Sequence, residues 1–83
     1  MFIVYAIYNK KNDKIYIGQT QDLKQRLDLH NSGEFKNSYT SRFDGEWRLI
    51  YSEDVLSRNF AILRERQLKS HKGRDFIKTF IPR

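Results

Sequence analysis

Phe2-Ile3-Val4-Tyr5-Ala6-Ile7-Tyr8, then Asn9-Lys10-Lys11-Asn12-Asp13-Lys14, then Ile15-Tyr16-Ile17-Gly18: these stretches decide the fold. The first and third alternate in character and are rich in β-branched and aromatic residues, while the middle one is polar. Two strands about a short turn read as a β-hairpin. Side chains alternate faces along a strand. For any even-length turn, Tyr5 and Tyr16 therefore project from one face, and a two-residue turn at Lys10-Lys11 would set them directly opposite each other. Gly18 falls on the same face and leaves room for a backbone to approach. The pattern predicts two phenols lining a hollow beside a gap, although a cross-strand aromatic pair that only steadies the sheet has the same signature.

Outward from the hairpin, Thr20 or Asp22 is placed to cap a helix, and Leu23 and Leu27 repeat at helical spacing before Ser32-Gly33 ends the run. This predicts a helix over residues 21–31. Residues 33–45 read as a loop, and Trp47-Arg48-Leu49-Ile50-Tyr51 as a third strand. Ser57 or Asn59 starts a second helix running to about Ser70, with Gly73 as its stop. Phe76, Ile77 and Phe80 suggest a short terminal helix. The expected class is α+β: a small three-stranded antiparallel sheet flanked by two or three helices, in the order β-β-α-β-α-α.

The 83 residues suit one domain over 1–83 with a modest core. The absence of cysteine excludes disulfide staples and thiolate metal sites, and favours a reducing, cytoplasmic home. No apolar run approaches the roughly 20 residues needed to cross a bilayer, so no membrane partner is expected. The net charge of +6 and a pI near 9.8 favour polyanionic partners.

Three residues outside the hairpin suggest chemistry. Arg26 and His30, four apart, share a helix face bordering the Leu23/Leu27 stripe. Arginine carries a permanent charge with a fork matched to phosphate, and histidine exchanges protons near neutral pH. Either one alone reads better as a solvated residue near a helix C-terminus, where cations are favoured. Glu65 lies beside Ala61, Ile62 and Leu68, where a carboxylate is unusual. It suits a hard divalent cation, or an ion pair with Lys69. Asp13, Asp22 and Asp28 read as turn, cap and surface residues, and His71 as solvated. No HExxH, close carboxylate pair or P-loop is present.

In their order these residues resemble the GIY-YIG nuclease family. Ile3-Val4-Tyr5 stands where the family has its first tripeptide, and Tyr16-Ile17-Gly18 is the second in full, ten residues separating the two. Asp22-Leu23-Lys24-Gln25-Arg26-Leu27 resembles the family's arginine-bearing helix, followed by His30-Asn31. Trp47 to Tyr51 resembles the third strand of its short stand-alone members. Leu63-Arg64-Glu65-Arg66-Gln67-Leu68-Lys69 resembles the helix with the metal-binding glutamate. The first tripeptide has Ile3 in place of glycine, and no late asparagine matches.

The resemblance implies a metal-dependent DNA endonuclease with little intrinsic sequence specificity. Tyr5, Tyr16, Arg26 and His30 would be catalytic, and Glu65 would hold Mg²⁺ or Mn²⁺. Tyr5, His30 or both acting together would serve as the base, the phenol being lowered from its usual pKa by the arginine and the metal. Lys24, Arg42, Arg48, Lys69, Lys72 and Arg74 would contact DNA phosphates. Specificity would come from a partner protein or a homodimer. The competing readings are a nucleic-acid-binding module without cleavage, and an assembly domain whose charge is incidental.

Overall fold

A computed structural model describes residues 1–32 and 39–82. Strands β1 (Phe2–Asn9) and β2 (Lys14–Thr20) form the hairpin. Helix α1 (Leu23–Ser32), a 3-10 turn (Tyr39–Arg42), strand β3 (Trp47–Val55), and helices α2 (Arg58–Lys69) and α3 (His71–Lys78) follow. The sheet is antiparallel in the order β2-β1-β3, so β1 is central. Fold class and element order are those the sequence implies. Among the described residues no helix is long and apolar enough to cross a membrane.

The hairpin register differs from the two-residue turn. The turn holds four residues, Lys10 to Asp13, and Asn9 pairs with Lys14. Asn9 Oδ1 accepts the Asn12 backbone N–H at 3.0 Å, and Tyr8 Oη donates to Asp13 Oδ1 at 2.8 Å. Asp13 adopts φ 52°, a left-handed conformation that aspartate tolerates better than most residues. Tyr5 therefore sits opposite Gly18, and Tyr16 opposite Ile7. Because four is also even, both phenols stay on one face.

Strand β3 runs past Tyr51 to Val55, since Ser52, Glu53 and Asp54 pair with Tyr5, Val4 and Ile3. Its polar residues are stabilised from α2: Glu53 accepts from Arg64 Nε at 2.7 Å and from Tyr51 Oη at 2.9 Å. A bulge at Ile50 shifts the register between Ala6/Tyr51 and Ile7/Leu49. An extra residue reverses which side chains face which way. Trp47 and Leu49 thus join the Tyr5 face, and Arg48 turns to the other.

Each sheet face has its own core. Val4, Ala6 and Ile17 pack with Ala61, Leu68 and Ile77 from α2 and α3. On the opposite face Tyr5, Ile7 and Trp47 pack with Leu23 and Leu27 of α1 and with Phe43. Asp22 caps α1, its Oδ1 accepting the Gln25 N–H at 3.0 Å, and Ser57 caps α2 through Phe60 N–H at 3.3 Å. Gly33, expected to stop α1, lies outside the described residues.

Gly73 is not a stop: it is the third residue of α3. Ser70 both ends α2 and caps α3, donating to Gln67 O at 2.6 Å and accepting from Gly73 N at 3.2 Å. A Cβ on Gly73 would lie 2.2 Å from the Gln67 carbonyl oxygen and 2.5 Å from Leu68 Cα. The glycine is there because α3 turns back against the end of α2 with no space for a side chain.

Candidate active site

The site grows from the central strand. Tyr5 is almost wholly buried and its hydroxyl lies 3.0 Å from His30 Nε2. The Tyr16 ring lies 6.3 Å from the Tyr5 ring and 5.1 Å from the imidazole, centroid to centroid. Gly18 makes this possible. A Cβ there would stand 2.8 Å from Tyr5 Oη and 2.9 Å from Tyr16 Cε2. The gap expected to admit a backbone is filled by the two rings themselves.

His30 comes from the last turn of α1 and is 6% exposed. Its Nδ1 lies 2.8 Å from Thr40 Oγ1, on the 3-10 turn. The next residue, Asn31, grips the first residue of β3: Trp47 N donates to Asn31 Oδ1 at 2.8 Å, and Asn31 Nδ2 donates to Trp47 O at 3.0 Å. This double bond pins the end of α1 to the sheet and so fixes the imidazole. Both of its ring nitrogens meet hydroxyls, which donate or accept, so either neutral tautomer is accommodated.

Burial pushes the Tyr5 phenol up, Tyr16 adding to the effect, and only then does the Arg26 charge pull it down; Glu65 raises it further. The lowering expected from arginine is thus outweighed by desolvation. His30 moves from 6.5 down to about 4, first through burial and then through Arg26. At neutral pH both partners are therefore uncharged. The neutral imidazole carries one N–H and leaves its other nitrogen as an acceptor.

Arg26 lies half-buried one turn before His30, and its charge acts on both groups. Glu65 shares the inward stripe of α2 with the buried Ala61 and Leu68. Its side chain is 22% exposed, its carboxylate receives Lys69 Nζ at 2.7 Å, and its charge is felt at Tyr5. The Tyr5 hydroxyl thus contacts His30 and feels the charges of Tyr16, Arg26 and Glu65.

The basic residues are dispersed. Lys24 is exposed on α1, and Arg42 on the 3-10 turn that carries Thr40. Arg48 lies on the face opposite Tyr5, bound to Glu46 at 2.7 Å. Lys69 holds Glu65, Lys72 is exposed on α3, and Arg74 Nε donates to Lys69 O at 3.2 Å. His71 is exposed, as expected, 3.5 Å from Asp75.

Thr40 and Asn31 were not singled out for any role by their own chemistry. Thr40 sits in a polar segment without periodicity, so nothing local marks it, whereas the adjacency of Asn31 to His30 is a usable signal.

No group of three or more His, Cys, Asp or Glu suited to a metal exists among the described residues. The donor set is the Glu65 carboxylate alone, partly open to solvent. That fits Mg²⁺ or Mn²⁺, which bind through one or two carboxylates and complete their shell with water and substrate phosphate. It does not fit a closed zinc site.

Comparison with known proteins gives a consistent picture. The family model described as the GIY-YIG catalytic domain matches residues 1–78. The solution structure of the UPF0213 protein BH0048 from Bacillus halodurans superimposes with a TM-score of 0.55 at 27% identity, over 95% of this chain and 84% of that one. No curated protein matches the chain.

Proposed function

The chain belongs to the GIY-YIG catalytic-domain family, a family of nucleases, and on that premise we propose that it is a metal-dependent endonuclease that hydrolyses DNA phosphodiester bonds. The observation that carries the reading is the Tyr5–His30 contact of 3.0 Å, at a phenol that also feels the Arg26 and Glu65 charges.

In-line hydrolysis requires an attacking water to lose a proton. The Tyr5 phenol, raised by burial, is a poor base alone. The His30 imidazole is neutral at pH 7 and, although burial weakens it as a base, it touches the phenol and offers a path for its proton. The pair acts together: the water proton passes to Tyr5 Oη as the phenol proton passes to His30 Nε2. General-base assistance of this kind contributes about 10²–10⁴-fold. Thr40 holds the far nitrogen of the ring and keeps Nε2 aimed at Tyr5. Tyr16 orients the water or a phosphate oxygen by hydrogen bonding. Arg26 pairs with the scissile phosphate and stabilises the charge that grows there.

Glu65 would hold the divalent ion, in place of the Lys69 ammonium that its carboxylate now meets at 2.7 Å. Bound there, Mg²⁺ or Mn²⁺ supplies Lewis-acid stabilisation to the phosphate and the leaving oxygen. Exposed Lys24, Arg42 and Lys72 contact the sugar-phosphate backbone without reading bases, as do Arg48, Lys69 and Arg74 where their present bonds open. Sequence preference is therefore weak, and affinity falls steeply with salt.

The test is conversion of supercoiled plasmid to nicked and linear forms, with Mg²⁺ and with chelator. The parent cuts only with metal. Tyr5→Phe and Glu65→Ala lose cutting by about 10²-fold or more while retaining DNA affinity. Metal-independent cutting, or undiminished cutting by either variant, defeats the reading.

A further inference from the structure

A second feature lies one aromatic ring from the candidate centre. Tyr39 stacks on Tyr16, with centroids 6.2 Å apart and planes at 23°. Phe43 supports Tyr39 from behind at 5.2 Å, and Lys14 Nζ stands 5.6 Å above the Phe43 ring. Tyr39 keeps 41% of its surface exposed. Its free side forms part of the wall of a hollow of about 640 Å³ between the hairpin and α3. Such a volume lies within the usual range of small-ligand pockets.

The charges of that wall are unbalanced. Lys14, Arg74 and Lys78 line it, and none of them forms an ion pair among the described residues. Asp13 also lines it, but its Oδ1 already accepts the Tyr8 hydroxyl at 2.8 Å. Three cations against the single Asp13 carboxylate leave this open space with a net positive charge that an entering anion offsets. Ile15, Ile81 and Pro82 add apolar surface. A polyanion with flat apolar rings satisfies both halves of this wall.

We propose that this hollow is a nucleotide subsite for an unpaired stretch of the DNA strand adjoining the bond to be cut. The phosphate rests on Lys14, Arg74 and Lys78, and the base stacks on the exposed face of Tyr39. Because a duplex keeps its base faces covered, the subsite favours substrates with unpaired nucleotides beside the cut. This rests on the nuclease reading above and adds to it a substrate class: single-stranded or branched DNA rather than continuous duplex.

The experiment measures anisotropy of a labelled single-stranded oligonucleotide and of a hairpin duplex of the same sequence, with chelator to prevent cutting. The parent, Tyr39→Ala, Tyr39→Phe and the double variant Lys14→Ala/Lys78→Ala are compared. Tyr39→Ala should weaken single-strand binding about tenfold or more. Tyr39→Phe should retain it, and duplex binding should change little in either. The lysine pair should flatten the salt dependence of single-strand binding by about one to two counterions. Melting curves confirm that each variant is folded. Equal loss on both DNAs, or no loss, overturns the subsite. A parent that cuts plasmid with Mg²⁺ while Tyr39→Ala binds unchanged sinks the subsite alone. A parent that cuts no DNA with Mg²⁺ sinks the nuclease reading, and the substrate class with it.

Discussion

Replacing Gly18 by alanine tests the geometry of the site most directly. The added Cβ would lie 2.8 Å from Tyr5 Oη, 2.9 Å from Tyr16 Cε2 and 3.0 Å from Tyr5 Cζ. Comfortable contact begins near ~3.5 Å, so the rings must yield by about 0.5–0.7 Å. Tyr5 cannot swing freely, being 1% exposed and packed with Ile7 and Trp47. A shift of that size stretches its 3.0 Å bond to His30 beyond useful hydrogen-bond length. Overpacking costs about 1–3 kcal/mol. Removing a glycine from a strand returns about 0.5–1 kcal/mol. The net stability loss is therefore modest, about 0–2.5 kcal/mol, whereas misplacing a reacting group by up to ~1 Å costs about 10²-fold in rate. Urea unfolding gives the first quantity and plasmid cutting the second, and ¹⁵N shifts of the His30 ring report the Tyr5 bond independently of activity. A folded Gly18→Ala protein that cuts within threefold of the parent, with its His30 shifts unmoved, would refute this account of the ring pair.

Other outcomes follow from the same packing. His30 at about 4 binds its proton later than in the unfolded chain, near 6.5. Its contribution to stability is complete above about pH 6.5 and is lost as pH falls toward 4, by at most ~3 kcal/mol. Urea titrations at several pH values should show that slope in the parent and lose it in His30→Gln. The cutting rate should likewise hold steady down to about pH 5 instead of falling below 6.5; a midpoint at 6.5 would contradict a buried neutral imidazole. Asn31→Ala removes both bonds to the Trp47 backbone and should cost about 1–3 kcal/mol in urea unfolding. Gly73→Ala drives a Cβ into the Gln67–Leu68 backbone and should cost about 2–3 kcal/mol; a change under ~0.5 kcal/mol would mean that the α2–α3 elbow relaxes freely.

Certain features were legible in the residues themselves because they depend on short-range periodicity. Alternation puts Tyr5, Tyr16 and Gly18 on one face for any even turn. Leu23 and Leu27 mark the buried side of α1, and the pairs Thr20/Asp22 and Ser57/Asn59 mark where helices start, the structure choosing Asp22 and Ser57. The element order required nothing more, whereas the ordered set of Tyr5, Tyr16-Ile17-Gly18, Arg26, His30 and Glu65 stood out only through the resemblance to the GIY-YIG family. The side of the sheet that Arg48 faces was not legible, because the bulge at Ile50 inverts the alternation between Leu49 and Tyr51. Nor was the meaning of Gly73, which answers to a backbone passing close in space.

Sequence by itself determined which chemical groups share a strand face or a helix face, since that follows from rises of two and 3.6 residues per period. Only the tertiary structure decided how those faces meet. The turn length set Tyr5 against Gly18 rather than Tyr16, Thr40 arrived from a distant turn to hold His30, and α2 brought Glu65 within electrostatic reach of the phenol. The protonation states were decided there as well. A pKa shift in the interior depends on how completely water is excluded, and that depends on elements far apart in the chain.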